Sequence, residues 1–171
     1  GIYGSFIFND AGDKLKLISI ERWGNFKFVD RCLKGCANLT LNNVKGKPIL
    51  FNNFLENLRG CTVLTQVRNI NEWDVSGVTS MDSLFIDCPV FNQDLDRWDL
   101  SNVTHFLSMF NRCYAFNGNV TTWDVSNITE MNNGFNNCTS FNQDVSQWDV
   151  SNIKYFNNFF GNCTSFNQDV S

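Results

Sequence analysis

The residues best placed to do chemistry in this chain are carboxylates that recur in rows. Asp74, Asp99, Asp124 and Asp149 each follow a tryptophan, while Asp94, Asp144 and Asp169 close repeated FNQD strings. If the repeats stack, like charges lie about 5 Å apart and repel unless compensated. Each carboxylate can accept backbone N–H groups within its own turn, or the row can take up Ca²⁺ through carboxylate and Asn carbonyl oxygens. Asn119 replaces aspartate at one FNQD phase and every WDVS reads as a corner, which favours the turn. We expect no metal site and no cofactor.

Cysteine is the second chemically notable set. Cys36, Cys61, Cys88, Cys113, Cys138 and Cys163 fall at one phase of a repeat, beside Phe and Asn, where a small buried side chain belongs. Stacked coils would bring their Cα atoms to about 4.8 Å, within disulfide range, but parallel in-phase side chains rarely offer the required dihedral. A ladder of packed thiols is the expectation. Cys32 precedes Cys36 by four residues without the further Cys or His that zinc needs. His105 occupies a phase held elsewhere by Ser80, Glu130 and Tyr155, so an exposed position fits it better than a catalytic one. Catalysis needs unlike groups converging in one cleft, whereas copies of one motif produce rows of like groups. No Gly-rich phosphate loop is present, and the chain is not expected to be an enzyme.

The elements that hold these rows follow from the period. Trp73, Trp98, Trp123 and Trp148 are 25 residues apart, as are most successive cysteines, with one two-residue slip between Cys61 and Cys88. A period in this range signals a stacked array. The last full coil directs Phe141, Val145, Trp148, Val150, Ile153, Phe156, Phe160 and Cys163 inward. One such coil buries too little to offset the ordering of its own backbone, so stability must come from stacking on neighbours. In the third WDVS coil Ser126 or Asn127 would cap a short helix, with Ile128, Met131 and Phe135 on one face and Asn136 and Asn137 ending it. Residues 2–8 and 15–20 flank the turn-rich NDAGDK and read as a β-hairpin. The expected fold is an α/β solenoid: a leucine-rich-repeat-like, right-handed stack of 25-residue coils with short strands and short helices. A pure β-helix is the alternative. Residues 1–22 would form the N-terminal β-hairpin cap, 23–72 two degenerate coils including a loop at 42–50, and 73–171 the regular WDVS coils, ending mid-repeat. The chain reads as a trimmed portion of a longer protein.

Composition narrows the partners. The 171 residues carry a net charge of −4, with few Lys or Arg in the WDVS coils, so no footprint for nucleic acid or anionic membrane is evident. No apolar run approaches the roughly 20 residues that span a bilayer.

The strings FNQDVSQWDVSNI and MNNGFNNCTSFNQD, with ISIERWGNFKF and LKGCANL upstream, resemble the BspA-like family of leucine-rich-repeat surface proteins, also described as the bacterial surface protein 26-residue repeat. The similarity spans roughly residues 15–171; the period of 25 is slightly shorter than the family's. The resemblance implies a cell-surface or secreted solenoid concerned with adhesion or partner binding. Related arrays in large viruses keep a virion location open. Binding should then lie where the repeats disagree: at Asp96 and Arg97, Thr121 and Thr122, and Ser146 and Gln147, just before each Trp. Leu84, Met109 and Phe159, with Gly134 at the same phase, form either an apolar stripe for a partner or a row packed against the convex layer, the reading preferred here. Two functions are therefore expected to compete: a non-enzymatic module binding a protein or glycan, and a structural assembly component contacting other copies or coat proteins.

Overall fold

The computed structural model describes residues 7–169. Its backbone is tied together by bonds that run from coil to coil. The N–H groups of Met81, Ser83, Phe85 and Asp87 donate to the carbonyls of His105, Leu107, Met109 and Asn111, each 24 residues on. Phe106, Ser108, Phe110 and Arg112 do the same toward Glu130, Asn132, Gly134 and Asn136, and Met131, Asn133, Phe135 and Asn137 toward Tyr155, Asn157, Phe159 and Gly161. Just before these runs the direction reverses, with the N–H groups of Thr104, Thr129 and Lys154 donating back to Thr79, Thr104 and Thr129. Isolated parallel bridges link Asn53, Ser80, His105, Glu130 and Tyr155 in one row.

No α-helix occurs among the described residues, whose only helical elements are the 3₁₀ turns Lys14–Lys16 and Ile70–Glu72. The helix expected around 128–137 is a run of turns instead. Ile128, Met131 and Phe135 do point inward, but Asn133 and Asn137 take left-handed backbone angles, φ 58° and 63°, which break any i→i−4 ladder. Alternate N–H groups close i→i−3 turns, as Gly134 does onto Met131 and Asn136 onto Asn133, while those between them donate to the next coil. The same left-handed pair recurs at Ser83 and Asp87, Ser108 and Arg112, and Asn158 and Asn162. Asn, Asp and Ser carry side chains short enough to tolerate such angles. In place of the expected short strands, single bridges mark the pairing.

Inside, like side chains lie over like. Phe85, Phe110 and Phe135 stack at centroid distances of 5.3 and 5.1 Å, with interplanar angles of 9° and 17°. Phe91, Phe116, Phe141 and Phe166 form a second column at 6.0, 6.1 and 5.9 Å. Trp98, Trp123 and Trp148 are buried, and Trp123 and Trp148 stack 6.1 Å apart. The cysteines line another column: the thiols of Cys88, Cys113, Cys138 and Cys163 donate to the carbonyls of Leu58, Phe85, Phe110 and Phe135 at 2.9–3.1 Å. Leu84, Met109 and Phe159 are buried, so they serve the core rather than a partner stripe. The room left by Gly134 is taken by the Phe159 ring of the next coil, which a Cβ on Gly134 would strike.

Departures from the repeat have local causes. Cys61 and Trp73 are 12 residues apart where Cys88 and Trp98 are 10, so the two extra residues lie before Trp73, beside the 3₁₀ turn Ile70–Glu72. The Gln93 side chain seals this place by accepting from the Val67 N–H and donating to its carbonyl. Of the expected inward set, Val150 and Phe156 are 48% and 46% exposed, because no described coil covers them; their equivalents Val125 and Met131 are fully covered.

At the other end the expected hairpin is corrected in part. Its residues 2–6 lie outside the described residues. Phe8 and, within the turn, Asp10 donate to the carbonyls of Cys32 and Lys34, and Ser19 bridges Thr40 in parallel, so the described residues on either side of NDAGDK bond to the following coil. The segment 42–50 is likewise more than a loop: Val44 is buried, Lys45 bridges Arg22 and Ile49 bridges Lys27.

Candidate interaction surface

Each residue predicted to meet a partner sits beside an anchored tryptophan. The indole N–H groups of Trp98, Trp123 and Trp148 donate to the carbonyls of Ile70, Leu95 and Val120, 28 residues earlier, which holds the preceding dipeptides on the outside of the coil. Arg97, Thr122, Ser146 and Gln147 are exposed, whereas Asp96 and Thr121 are half-buried. Several of the six are already engaged. Asn71 donates to the Asp96 carboxylate at 2.7 Å and accepts from the Arg97 N–H at 2.9 Å, and the Thr122 hydroxyl donates to the Asp96 carbonyl. The Gln147 amide donates to the Ser146 hydroxyl at 3.3 Å. The Arg97 guanidinium makes no ion pair among the described residues. The column therefore runs along the stack with fixed backbone and three chemically different pairs.

The neighbouring polar rows are internally satisfied. Asp74, Asp99, Asp124 and Asp149 accept the N–H of the residue two positions on, Ser76, Ser101, Ser126 and Ser151, at 3.0–3.2 Å. Hydrogen bonds from the hydroxyls of these serines, and then from their backbone N–H groups, hold the carboxyls of Asp74, Asp99 and Asp149 below their ordinary range. No group of three or more His, Cys, Asp or Glu able to hold a metal ion occurs among the described residues. Asparagines form ladders between coils: the N–H groups of Asn117, Asn142 and Asn167 donate to the side-chain oxygens of Asn92, Asn117 and Asn142 at 2.8–2.9 Å. Asn102, Asn127 and Asn152 donate to the carbonyls of Ser76, Ser101 and Ser126.

Residues 52–171 match the family described as Mycoplasma protein of unknown function, DUF285. The chain belongs to that family. The matched region begins within the second degenerate coil and takes in every WDVS repeat, so the family pattern is the coil pattern. No curated protein and no solved structure matches the chain.

Two further groups bear on what the surface can do. All seven cysteines are free and buried. Burial pushes the Cys88 thiol up to about 12 and raises Cys113 and Cys138 as well, which removes the thiolate that nucleophilic chemistry needs. Glu56 is buried, left-handed at φ 52°, and ringed by Arg31, Lys34 and Arg59. Burial alone would raise its carboxyl, but hydrogen bonds from these three cations bring it down to about 2. His105 is exposed, with its Nδ1 2.8 Å from the Thr104 hydroxyl. No helix of the described residues is long and apolar enough to cross a membrane.

Proposed function

We propose that this chain is a non-enzymatic surface repeat module of the BspA-like, leucine-rich-repeat type, exposed at the cell surface or secreted, that binds a protein or glycan in adhesion. What carries the proposal is the division of labour within each coil. Aromatic, thiol, Asn and Asp rows repeat and bond to the neighbouring coil, while the dipeptides before each Trp change from Asp96–Arg97 to Thr121–Thr122 to Ser146–Gln147 along one flank. A repeated scaffold with unlike side chains at one exposed phase offers a partner a graded strip, which is how stacked-coil proteins make extended binding surfaces. The expectation that the chain is not an enzyme stays with this proposal: buried thiols and an isolated, exposed His105 supply no converging acid, base and nucleophile.

A structural assembly component is the second reading, favoured by one observation. Val145, Trp148, Val150, Phe156, Phe159 and Phe160 line an apolar cleft of about 240 Å³ on the last coil. The two readings part in solution. The binding module stays monomeric by light scattering across concentration, and Arg97→Ala with Gln147→Ala abolishes adhesion to host-cell surfaces without lowering the melting temperature. A polymer that grows with concentration, or adhesion untouched by the double substitution, overturns the first reading.

A further inference from the structure

A cavity of about 580 Å³ opens where two paired stretches differ in length. Ser19 bridges Thr40 and Arg22 bridges Lys45, so three residue steps on one coil face five on the next. The longer stretch has to bow outward between its two fixed rungs. Asn42 and Asn43 take the turn at the crest, while Val44 remains buried beneath it. The open groove so created is lined by the exposed Ser19, Glu21, Arg22, Asn42, Asn43 and Lys45 together with the half-buried Thr40 and Ile20.

Its lining gathers two cations and two amides around one opening. Several cations of the chain meet carboxylates, Lys14 with Asp10, Lys16 with Asp13, Lys47 with Glu72, Arg112 with Asp87, and three cations with Glu56, while others, Arg97 among them, meet none among the described residues. Arg22 and Lys45 are brought side by side by their bridge, yet neither makes an ion pair among the described residues. Many in-phase asparagines bond to neighbouring coils, as Asn92 and Asn127 do, whereas the side chains of Asn42 and Asn43 make no bond among the described residues. Two adjacent like charges and two uncommitted amides around one groove form a set of donors held open.

We propose that this cavity binds an acidic saccharide, a sugar unit bearing a carboxylate, sulfate or phosphate. Arg22 and Lys45 take the anionic group, Arg22 by its planar fork and Lys45 as a point charge. Asn42 and Asn43 each supply donor and acceptor to ring hydroxyls, and the Glu21 carboxylate accepts from a hydroxyl. An acidic peptide fits less well, since its further carboxylates would face Glu21 and its side chains would find little apolar lining besides Ile20. The volume lies in the range of about 300–1,000 Å³ typical of small-ligand sites. The site is separate from the strip before the tryptophans and stands without it.

Calorimetric titration of the chain with lactose, with its sialylated and sulfated forms, with sodium sulfate and with an acidic phosphopeptide tests the assignment. The charged saccharides are expected to bind about tenfold or more tightly than lactose, with affinity falling as salt rises. Arg22→Gln with Lys45→Gln abolishes that binding at an unchanged melting temperature. Asn43→Ala weakens the saccharides but not sulfate, and Arg97→Ala with Gln147→Ala changes neither, which separates this site from the adhesive strip. Failure of every charged saccharide to bind, binding indifferent to the Arg22 and Lys45 substitutions, or equal affinity for sulfate or the phosphopeptide overturns it.

Discussion

The indole N–H of Trp123 donates to the carbonyl oxygen of Leu95, 2.8 Å away and 28 residues earlier in the chain. One side chain thereby fills the core of its own coil and satisfies the backbone of the one before. Trp123→Ala is expected to lose about 3–5 kcal/mol of stability through the cavity it leaves. Trp123→Phe keeps an aromatic ring and leaves the Leu95 carbonyl its bond from the Trp98 N–H, so the lost indole bond should cost only about 0.5–1.5 kcal/mol. Urea unfolding followed by circular dichroism measures both; a Trp123→Ala protein as stable as its parent would refute the packing described.

Glu56 links acid sensitivity to one cluster. Its carboxyl titrates at about 2 in the fold against an ordinary 4.5, so its contribution is complete above about 4.5 and is lost as pH falls from there toward 2. That contribution is about 2–3 kcal/mol, allowing for the partial exposure of Arg31 and Arg59. Glu56→Gln should destabilise the chain at pH 7 and flatten its melting temperature between pH 5 and 2. Melting curves across that range decide the matter, since an unchanged slope would place the acid sensitivity elsewhere.

The thiol ladder should be silent. With every cysteine buried and the Cys88 thiol pushed up to about 12, Ellman's reagent is expected to label none in the native protein and all seven after denaturation. Rapid native labelling of any column cysteine would show that the coils open readily.

Two substitutions that regularise the repeat should have opposite outcomes. Gly118 stands where other coils have glutamine, but a Cβ there would lie 1.9 Å from the Gln93 carbonyl oxygen, so Gly118→Gln should cost about 1–3 kcal/mol. Gly77 stands at the phase of Asn102, Asn127 and Asn152, with open space around it. Gly77→Asn should be neutral or stabilising by up to about 1 kcal/mol. Differential scanning calorimetry of the two variants compares them directly, and equal effects would contradict the close approach at Gly118.

The inward side chains were legible in the sequence because the period alone states which residues share an environment. Phe141, Trp148 and Cys163 are buried at the phase the repeat assigns them. The helix was misread because Ile128, Met131 and Phe135 have the spacing of a helical face, and a coil of turns can turn the same three residues inward. The corrective signal was present in the residues between: Asn133, Gly134, Asn136 and Asn137 are poor helix interiors and ready hosts for left-handed angles. The pairs before each Trp were legible as variable positions, yet their engagement through Asn71 was not, since it depends on which atoms the stacking brings together. The cavity beside Arg22 and Lys45 had no sequence signature. It arises from unequal path lengths between two bridges, and pairing register is a property of the assembled backbone.

The coil-to-coil bonds of the regular region connect residues about one period apart, from the 22-residue reach of Asn136 to Asn158 to the 28-residue reach of Trp123 to Leu95. Sequence separation between bonded groups is thus capped whatever the number of repeats. Duplicating or deleting a whole period leaves the surviving junctions as they were, and the closure entropy of each stays that of a short loop. Such a chain can change its length over generations in single steps, each yielding a molecule that still folds.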